Sequence, residues 1–168
     1  MVEACGARPG PHPRGAHREF RGALQIENEN QEEILKSFDT VKDLQVMLEK
    51  DRPGALAKAT TAIANAGINI EGFCEVDGQL HTVTSDPTGT KRALESAGYK
   101  VRETDVVVFP AEDRPGFLAD VLHRITQDEI NVTVAYTLTN TRIAIGADQV
   151  PKLKELLQEF ATTATRPR

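Results

Sequence analysis

Between residues 43 and 160 the apolar positions switch repeatedly between a period of two and a period near 3.6, the spacings of a strand and of a helix. "DLQVMLEK" (43–50) reads as a strand. Leu56, Ala59 and Ile63 then fall on one face of a helix that Gly67 ends. "INIEGFCEV" and "QLHTVTS" are rich in β-branched residues and flank Asp77-Gly78, a hairpin turn pair. Asp86-Pro87 is an N-cap followed by a first-turn proline, so a second helix follows. "YKVRE" (99–103) supplies a closing strand.

The same order then begins again. "DVVVFPAE" (105–112) matches 43–50, and Leu118, Val121, Leu122 and Ile125 give the next helix face. "INVTVAYTL" and "TRIAIGA" form a hairpin around "TNT" (139–141), and a last helix buries Leu153, Leu156, Leu157 and Phe160. The letters DRPG stand at 51–54 and at 113–116, an offset of 62 that runs without a gap through Asp86 and Asp148. The chain is therefore expected to be α+β, with two ferredoxin-like βαββαβ modules. Each has an antiparallel sheet with both helices on one face, and the modules pair side by side, joining sheets at their edges and sharing helix packing. The second module lacks its last strand, because "ATTATRPR" follows Phe160. "ILKSFDTV" (34–41) is a candidate cover for the bare edge. The expected divisions are an extension at 1–42, largely disordered, modules at 43–104 and 105–160, and a disordered tail at 161–168.

The repeated turn is the candidate chemistry. Proline suits the first helical position and pushes the residue before it out of helical conformation. Arg52 is thus the expected N-cap, with Gly54 inside the first turn. Glycine there costs about 1 kcal/mol relative to alanine, and close approach of another group would account for it. A helix N-terminus attracts anions. Arg52 and Arg114 add a charged donor, and Asp51 and Asp113 an acceptor for an ammonium, a set that suits a zwitterion better than a phosphate. The alternative is a purely structural strand-to-helix turn. Asn69 and Asn131, each fifteen residues after the glycine, open the following strands and weigh toward a pair of sites.

"VMLEKDRPGALAKATTAIANAGINIEG" resembles the start of an ACT domain, the small-molecule-sensing module of amino-acid metabolism. "VVVFPAEDRPGFLADVLHRITQDEINVTVAYTLTNTRIAIGAD" resembles a second. Together they resemble the stand-alone tandem-ACT proteins of bacteria over roughly residues 43–160. The resemblance implies an amino-acid ligand where the modules meet, an allosteric role, and contacts from the first turn and the second strand's start. Carried over, the first site would use Asp51, Arg52, Gly54, Ala55, Leu56, Asn69 and Ile70. The second would use Asp113, Arg114, Gly116, Phe117, Leu118, Asn131 and Val132. Ala55 stands where the other copy has Phe117, and Gly67 where it has Glu129, so the two sites are not equivalent.

Composition narrows the setting. No apolar run reaches the ~18 residues of a membrane span. Two cysteines, Cys5 and Cys74, make no disulfide framework, and the start carries no secretory apolar region, so a reducing cytoplasm is expected. Net charge is −5, with arginines gathered at 8–21, a stretch poor in large apolar residues. Without a basic, aromatic face elsewhere, nucleic acid is not an expected partner. No nucleophile elbow, zincin, Walker or dinucleotide motif occurs, so neither catalysis nor a cofactor is expected. Cys74 and His81 oppose each other across a hairpin, but two ligands alone do not make a metal site. The expected protein is a non-catalytic regulator that binds an amino acid, forms a homodimer and acts on an enzyme or regulator in trans. The alternative is a ligand-free, homo-oligomerising scaffold of the same fold.

Overall fold

The structure, a computed structural model, describes residues 37–49 and 52–164. The element order is β1 (Asp39–Met47), α1 (Ala55–Asn65), β2 (Ile70–Val76), β3 (Gln79–Thr84), α2 (Pro87–Ser96), β4 (Val101–Pro110), α3 (Phe117–Gln127), β5 (Val132–Leu138), β6 (Arg142–Ala147) and α4 (Val150–Ala164). This is βαββαβ ordering written twice around one shared strand. The strands close into a barrel in the order β1-β3-β2-β5-β6-β4.

Several local expectations hold. Asp86 caps α2 by accepting from the Gly89 amide at 2.9 Å. Gly67 leaves α1 at φ +73°, whereas its counterpart Glu129 takes φ +53° with a side chain. Asp77 and Gly78 both have positive φ, as a tight hairpin turn requires.

Other features differ from the sequence reading. The segments 99–103 and 105–112 are not separate strands: β4 runs unbroken from Val101 to Pro110 and serves both modules. β1 begins at Asp39, inside the expected extension, and α4 continues to Ala164, past the expected start of the tail. Residues 1–36 and 165–168 lie outside the described residues.

The early start of β1 decides how the second module is completed. β1 pairs antiparallel with β4 from Asp39↔Val108 to Val46↔Val101. Its second half is the first strand of module one; its first half takes the place of module two's absent last strand. Asp39, Thr40 and Val41 of the candidate cover segment thus pair with Val108, Val107 and Val106. Just before β1, Phe38 stacks on Phe109 with ring centroids 5.7 Å apart, inside the core of module two.

Three apolar clusters follow from the strand alternation. Val46, Leu48, Leu80, Ala59, Ile63 and Leu94 join the first sheet to α1 and α2. Val107, Phe109, Ile143, Ile145, Val121, Ile125, Leu153 and Leu157 do the same for the second sheet with α3 and α4. The opposite faces meet inside the barrel through Val83, Val106, Val108, Tyr136, Leu138 and Ala144. Helices pack in pairs within a module, α1 with α2 and α3 with α4. The joining of the modules is carried by strands and the lumen rather than by shared helix packing. Leu118, expected on the buried face of α3, is 44% exposed, and Phe117 takes the inward position.

The constant offset of 62 also changes once the chain is folded. It holds from Gly54/Gly116 through Cys74/Tyr136. In the first strands the residues facing the helices are Val46 and Leu48 in one module and Val107 and Phe109 in the other, an offset of 61. A slip of one residue exchanges the two faces of a strand. Asp43 therefore corresponds to Thr104 and not to Asp105. Asp43 and Thr104 are paired directly opposite each other in the β1–β4 ladder, at the pseudo-twofold axis.

Candidate functional site

Each DRPG turn is built from backbone. Gly54 and Gly116, not the arginines, are the N-caps of α1 and α3, with φ +87° and +88°. Their carbonyls accept the Lys58 and Asp120 amides at 2.9 Å. Ala55 N–H donates to the Arg52 carbonyl at 3.2 Å, and Phe117 N–H to Arg114 at 3.4 Å. The positive φ explains both glycines, because only glycine enters that region without strain. A Cβ on either would meet nothing within 4 Å, so close approach of another group is not the reason. Gly54→Ala and Gly116→Ala are each expected to cost about 1 kcal/mol through φ alone, measured by urea denaturation. A loss above about 3 kcal/mol would show a contact that the structure does not contain.

At the first turn, two concavities adjoin these residues. One of about 510 Å³ lies between the turn and the β2–β3 hairpin and is lined by Arg52, Pro53, Ala55, Leu56, Glu75 and Asp77 among others. A smaller one of about 160 Å³ is lined by Gly54, Lys58 and Tyr99 beside Arg52 and Ala55. Arg52 is exposed and bonded to Glu49. Asp51 lies outside the described residues.

The second turn is different. Phe117 is 8% exposed, packed into its own module's core, with the Arg114 guanidinium 5.5 Å above its ring. Arg114 is also held by Glu112 at 2.7 Å and Asp120 at 3.0 Å, and these partners raise its pKa further. At the second turn the position of Ala55 is thus taken by a phenylalanine buried in the core, and Arg114 is engaged by Glu112, Asp120 and the Phe117 ring. Asp113 is exposed in the same loop.

The strand-start residues do not join their own turns. β1 and β2 both pair antiparallel with β3, so they run parallel. Asn69 and Ile70 therefore sit at the opposite end of the sheet from residues 52–56. The same holds for Asn131 and Val132 relative to 114–118. Because β4 runs antiparallel to β1, each turn shares a barrel end with the other module's strand start. Asn131 and Val132 line a separate concavity of about 530 Å³ with Leu122, Ile125 and Ile130. Asn69 and Asn131 also have structural roles: the Asn69 amide and carbonyl bond Ser85, and those of Asn131 bond Asp148.

Sequence reasoning missed a buried polar cluster inside the barrel. Asp43 is fully buried. Its carboxyl group accepts from the Tyr136 hydroxyl at 2.8 Å, Gln45 Nε2 at 3.0 Å and the Thr104 hydroxyl at 3.4 Å, and lies 2.8 Å from His81 Nδ1. Gln45 Nε2 also reaches Thr104 at 2.7 Å. Burial, then the neighbouring Asp43, pushes the Tyr136 hydroxyl far above its ordinary pKa, so it stays a protonated donor. The corresponding lumen positions of module two carry Val106 for Gln45 and Thr104 for Asp43. The available signal was an Asp and a Gln at alternate positions, on the face of β1 opposite Leu44 and Val46.

Cys74 does stand opposite His81 in the hairpin, but His81 turns to Asp43. Burial, followed by Asp43 and Glu75, raises the thiol pKa, the reverse of an activated nucleophile. Among the described residues no three metal-ligating side chains cluster. No described helix is long and apolar enough to cross a membrane.

This architecture, two βαββαβ modules with their helices outside a common barrel, has the fold seen in the regulatory domains of aspartate kinases. No protein-family model and no curated protein matches the chain. Among solved structures, protein BT0572 from Bacteroides thetaiotaomicron is 27% identical with a TM-score of 0.67, over 74% of this chain and 91% of that one. The regulatory subunit of aspartate kinase from Thermus thermophilus, in a ligand-free form, is 16% identical with a TM-score of 0.58, over 77% and 97%. E. coli aspartokinase III in complex with lysine and aspartate is 12% identical with a TM-score of 0.53, over 77% of this chain and 32% of that chain. At these last identities the likeness is one of fold.

Proposed function

We propose that the chain is a non-catalytic regulatory protein that binds an amino acid beside its first DRPG turn and acts in trans, as a homodimer, on an enzyme or regulator. The observation that carries this reading is the concavity of about 510 Å³ whose wall includes Arg52 and the first turn of α1. The amide groups there and the arginine suit a carboxylate; Glu75 and Asp77 suit an ammonium. Asn131 and Val132, at the same barrel end, would contribute from the other module once a ligand is in place. The solved regulatory subunits with this fold support the role, and the lysine and aspartate bound by aspartokinase III support the ligand class. The second turn is proposed as a weaker site, since Phe117 takes the position of Ala55 there and Arg114 is already engaged.

A thermal-melt screen against the twenty amino acids tests this. A ligand at a hundred times its Kd adds about 2.7 kcal/mol, a rise of roughly 5–11 °C for a chain of this size. Ala55→Trp, which fills the concavity, is expected to abolish the rise and leave the unliganded melt within about 2 °C. A rise that survives in that variant places the ligand elsewhere. A flat panel would favour the scaffold reading, for which the exposed Met47, Phe73 and Val76 speak.

A further inference from the structure

The barrel is closed by two joints of very unequal strength. β1 and β4 share a continuous ladder from Asp39↔Val108 to Val46↔Val101. β2 and β5 meet in register only at Gly72↔Leu138. Beside that pair, the Thr139 amide donates to the Glu71 carbonyl at 2.7 Å and Arg142 bonds the Glu71 carboxylate at 2.9 Å. The pseudo-twofold counterpart of Gly72↔Leu138 would be Val76↔Val134, and it is not formed; Val76 is 68% exposed. The seam is thus fastened at one end only.

We propose that the two modules open as a hinge about the β1–β4 ladder, with the β2–β5 seam as the opening edge. The Tyr136–Asp43 hydrogen bond inside and the Arg142–Glu71 ion pair outside are its latches.

Three features make this a two-state element. First, each helix pair packs on its own sheet, so opening the seam breaks no helix packing. Second, the lumen is half polar. Asp43, Gln45, His81 and Thr104 lie on β1, β3 and β4 and keep one another's bonds on either side of the hinge; only the Tyr136 bond to Asp43 is lost on opening, and water would replace it. Rehydrating a buried carboxyl offsets part of the cost of exposing Leu138, Val83 and Val108, which a wholly apolar lumen would not do. Third, Tyr136 reaches from β5 across to β1, so one hydroxyl ties the moving edge to the hinge strand. The motion needs no ligand, so a failed ligand screen leaves it standing. A ligand that favours one state would use it as a switch.

Two readouts on the full chain with Cys5→Ser test this. One is hydrogen exchange at the Thr139 amide, a seam bond, against the amides of the β1–β4 ladder. The other is alkylation of Cys74, which packs against the lumen cluster. Tyr136→Phe is expected to speed Thr139 exchange and Cys74 alkylation about tenfold with the ladder amides unchanged. Arg142→Ala, a substitution at the partly exposed latch, is expected to give the same pattern more weakly. Equal acceleration at the ladder and the seam in both variants, or no acceleration at the seam in either, overturns the hinge.

Discussion

Replacing Asp43 by alanine is expected to lower stability by about 3 kcal/mol and the melting temperature by roughly 10 °C. The expectation rests on what is left behind. The Tyr136 hydroxyl, the Gln45 amide, the Thr104 hydroxyl and His81 all converge on one carboxyl group, and none of the buried side-chain polar atoms among the described residues lacks a partner. Alanine would leave several of those groups without their main acceptor in a closed lumen, and a stranded buried donor costs about 1–3 kcal/mol. Asp43→Asn keeps one oxygen for Tyr136 but turns an amide donor toward Gln45 and Thr104, so an intermediate loss is expected. In a double-mutant cycle with Tyr136→Phe, the coupling should exceed about 1 kcal/mol. A melting temperature for Asp43→Ala within about 2 °C of the parent would mean that the cluster does not hold the barrel together.

Gly72→Ala should be nearly as damaging, for a steric reason. A Cβ at that position would lie 2.8 Å from Leu138 Cγ, 2.8 Å from the Thr137 carbonyl oxygen and 3.0 Å from Leu138 Cα. Two of those three atoms are backbone of the facing strand and cannot rotate away. β2 must therefore back off from β5 at their ladder pair Gly72↔Leu138, at an expected cost of about 3 kcal/mol by equilibrium denaturation. Combining it with Leu138→Ala relieves only the side-chain clash, so full recovery in the double variant would show that backbone proximity is not the cause. The contrast with Gly54 and Gly116 is informative. Those glycines are required by a dihedral angle in open space; Gly72 is required by a neighbour.

The two kinds of glycine mark how far the sequence could be read. DRPG, written twice, announced strand-to-helix turns, and the helical spacing of Ala59 and Ile63, or of Leu153 and Leu157, identified faces that are buried. Turn chemistry and periodicity are local, so a linear reading captures them. The cap itself was misread, because proline at the first helical position and glycine at the N-cap place the helix start two residues apart. Gly72 gave no sign at all: its neighbour is sixty-six residues away, and only the β2–β5 closure brings the two together.

Asp43 shows the same division in the candidate chemistry. An offset of 62 matched it with Asp105, the first residue of the second copy's strand segment. The fold shifts the match by one residue, sends Asp43 inward, and leaves Asp105 outside against Lys42 at 2.7 Å. The ligand-site residues were assigned per module by resemblance, yet the parallel direction of β1 and β2 separates each turn from its own strand start. Strand direction and barrel closure are decided by long-range pairing, which no window of sequence contains.

Helices, hairpins, the twofold repetition and most of the helix faces were legible in the sequence, because propensity, periodicity and turn geometry act over a few residues. Long-range pairing settled that Phe38 and the first half of β1 complete the second module, that Phe117 is drawn into the core while Ala55 lines two concavities, and that a polar lumen centred on Asp43 lies between the modules. Each of these depends on which distant strands become neighbours, and that choice is made by burial and pairing of the chain as a whole.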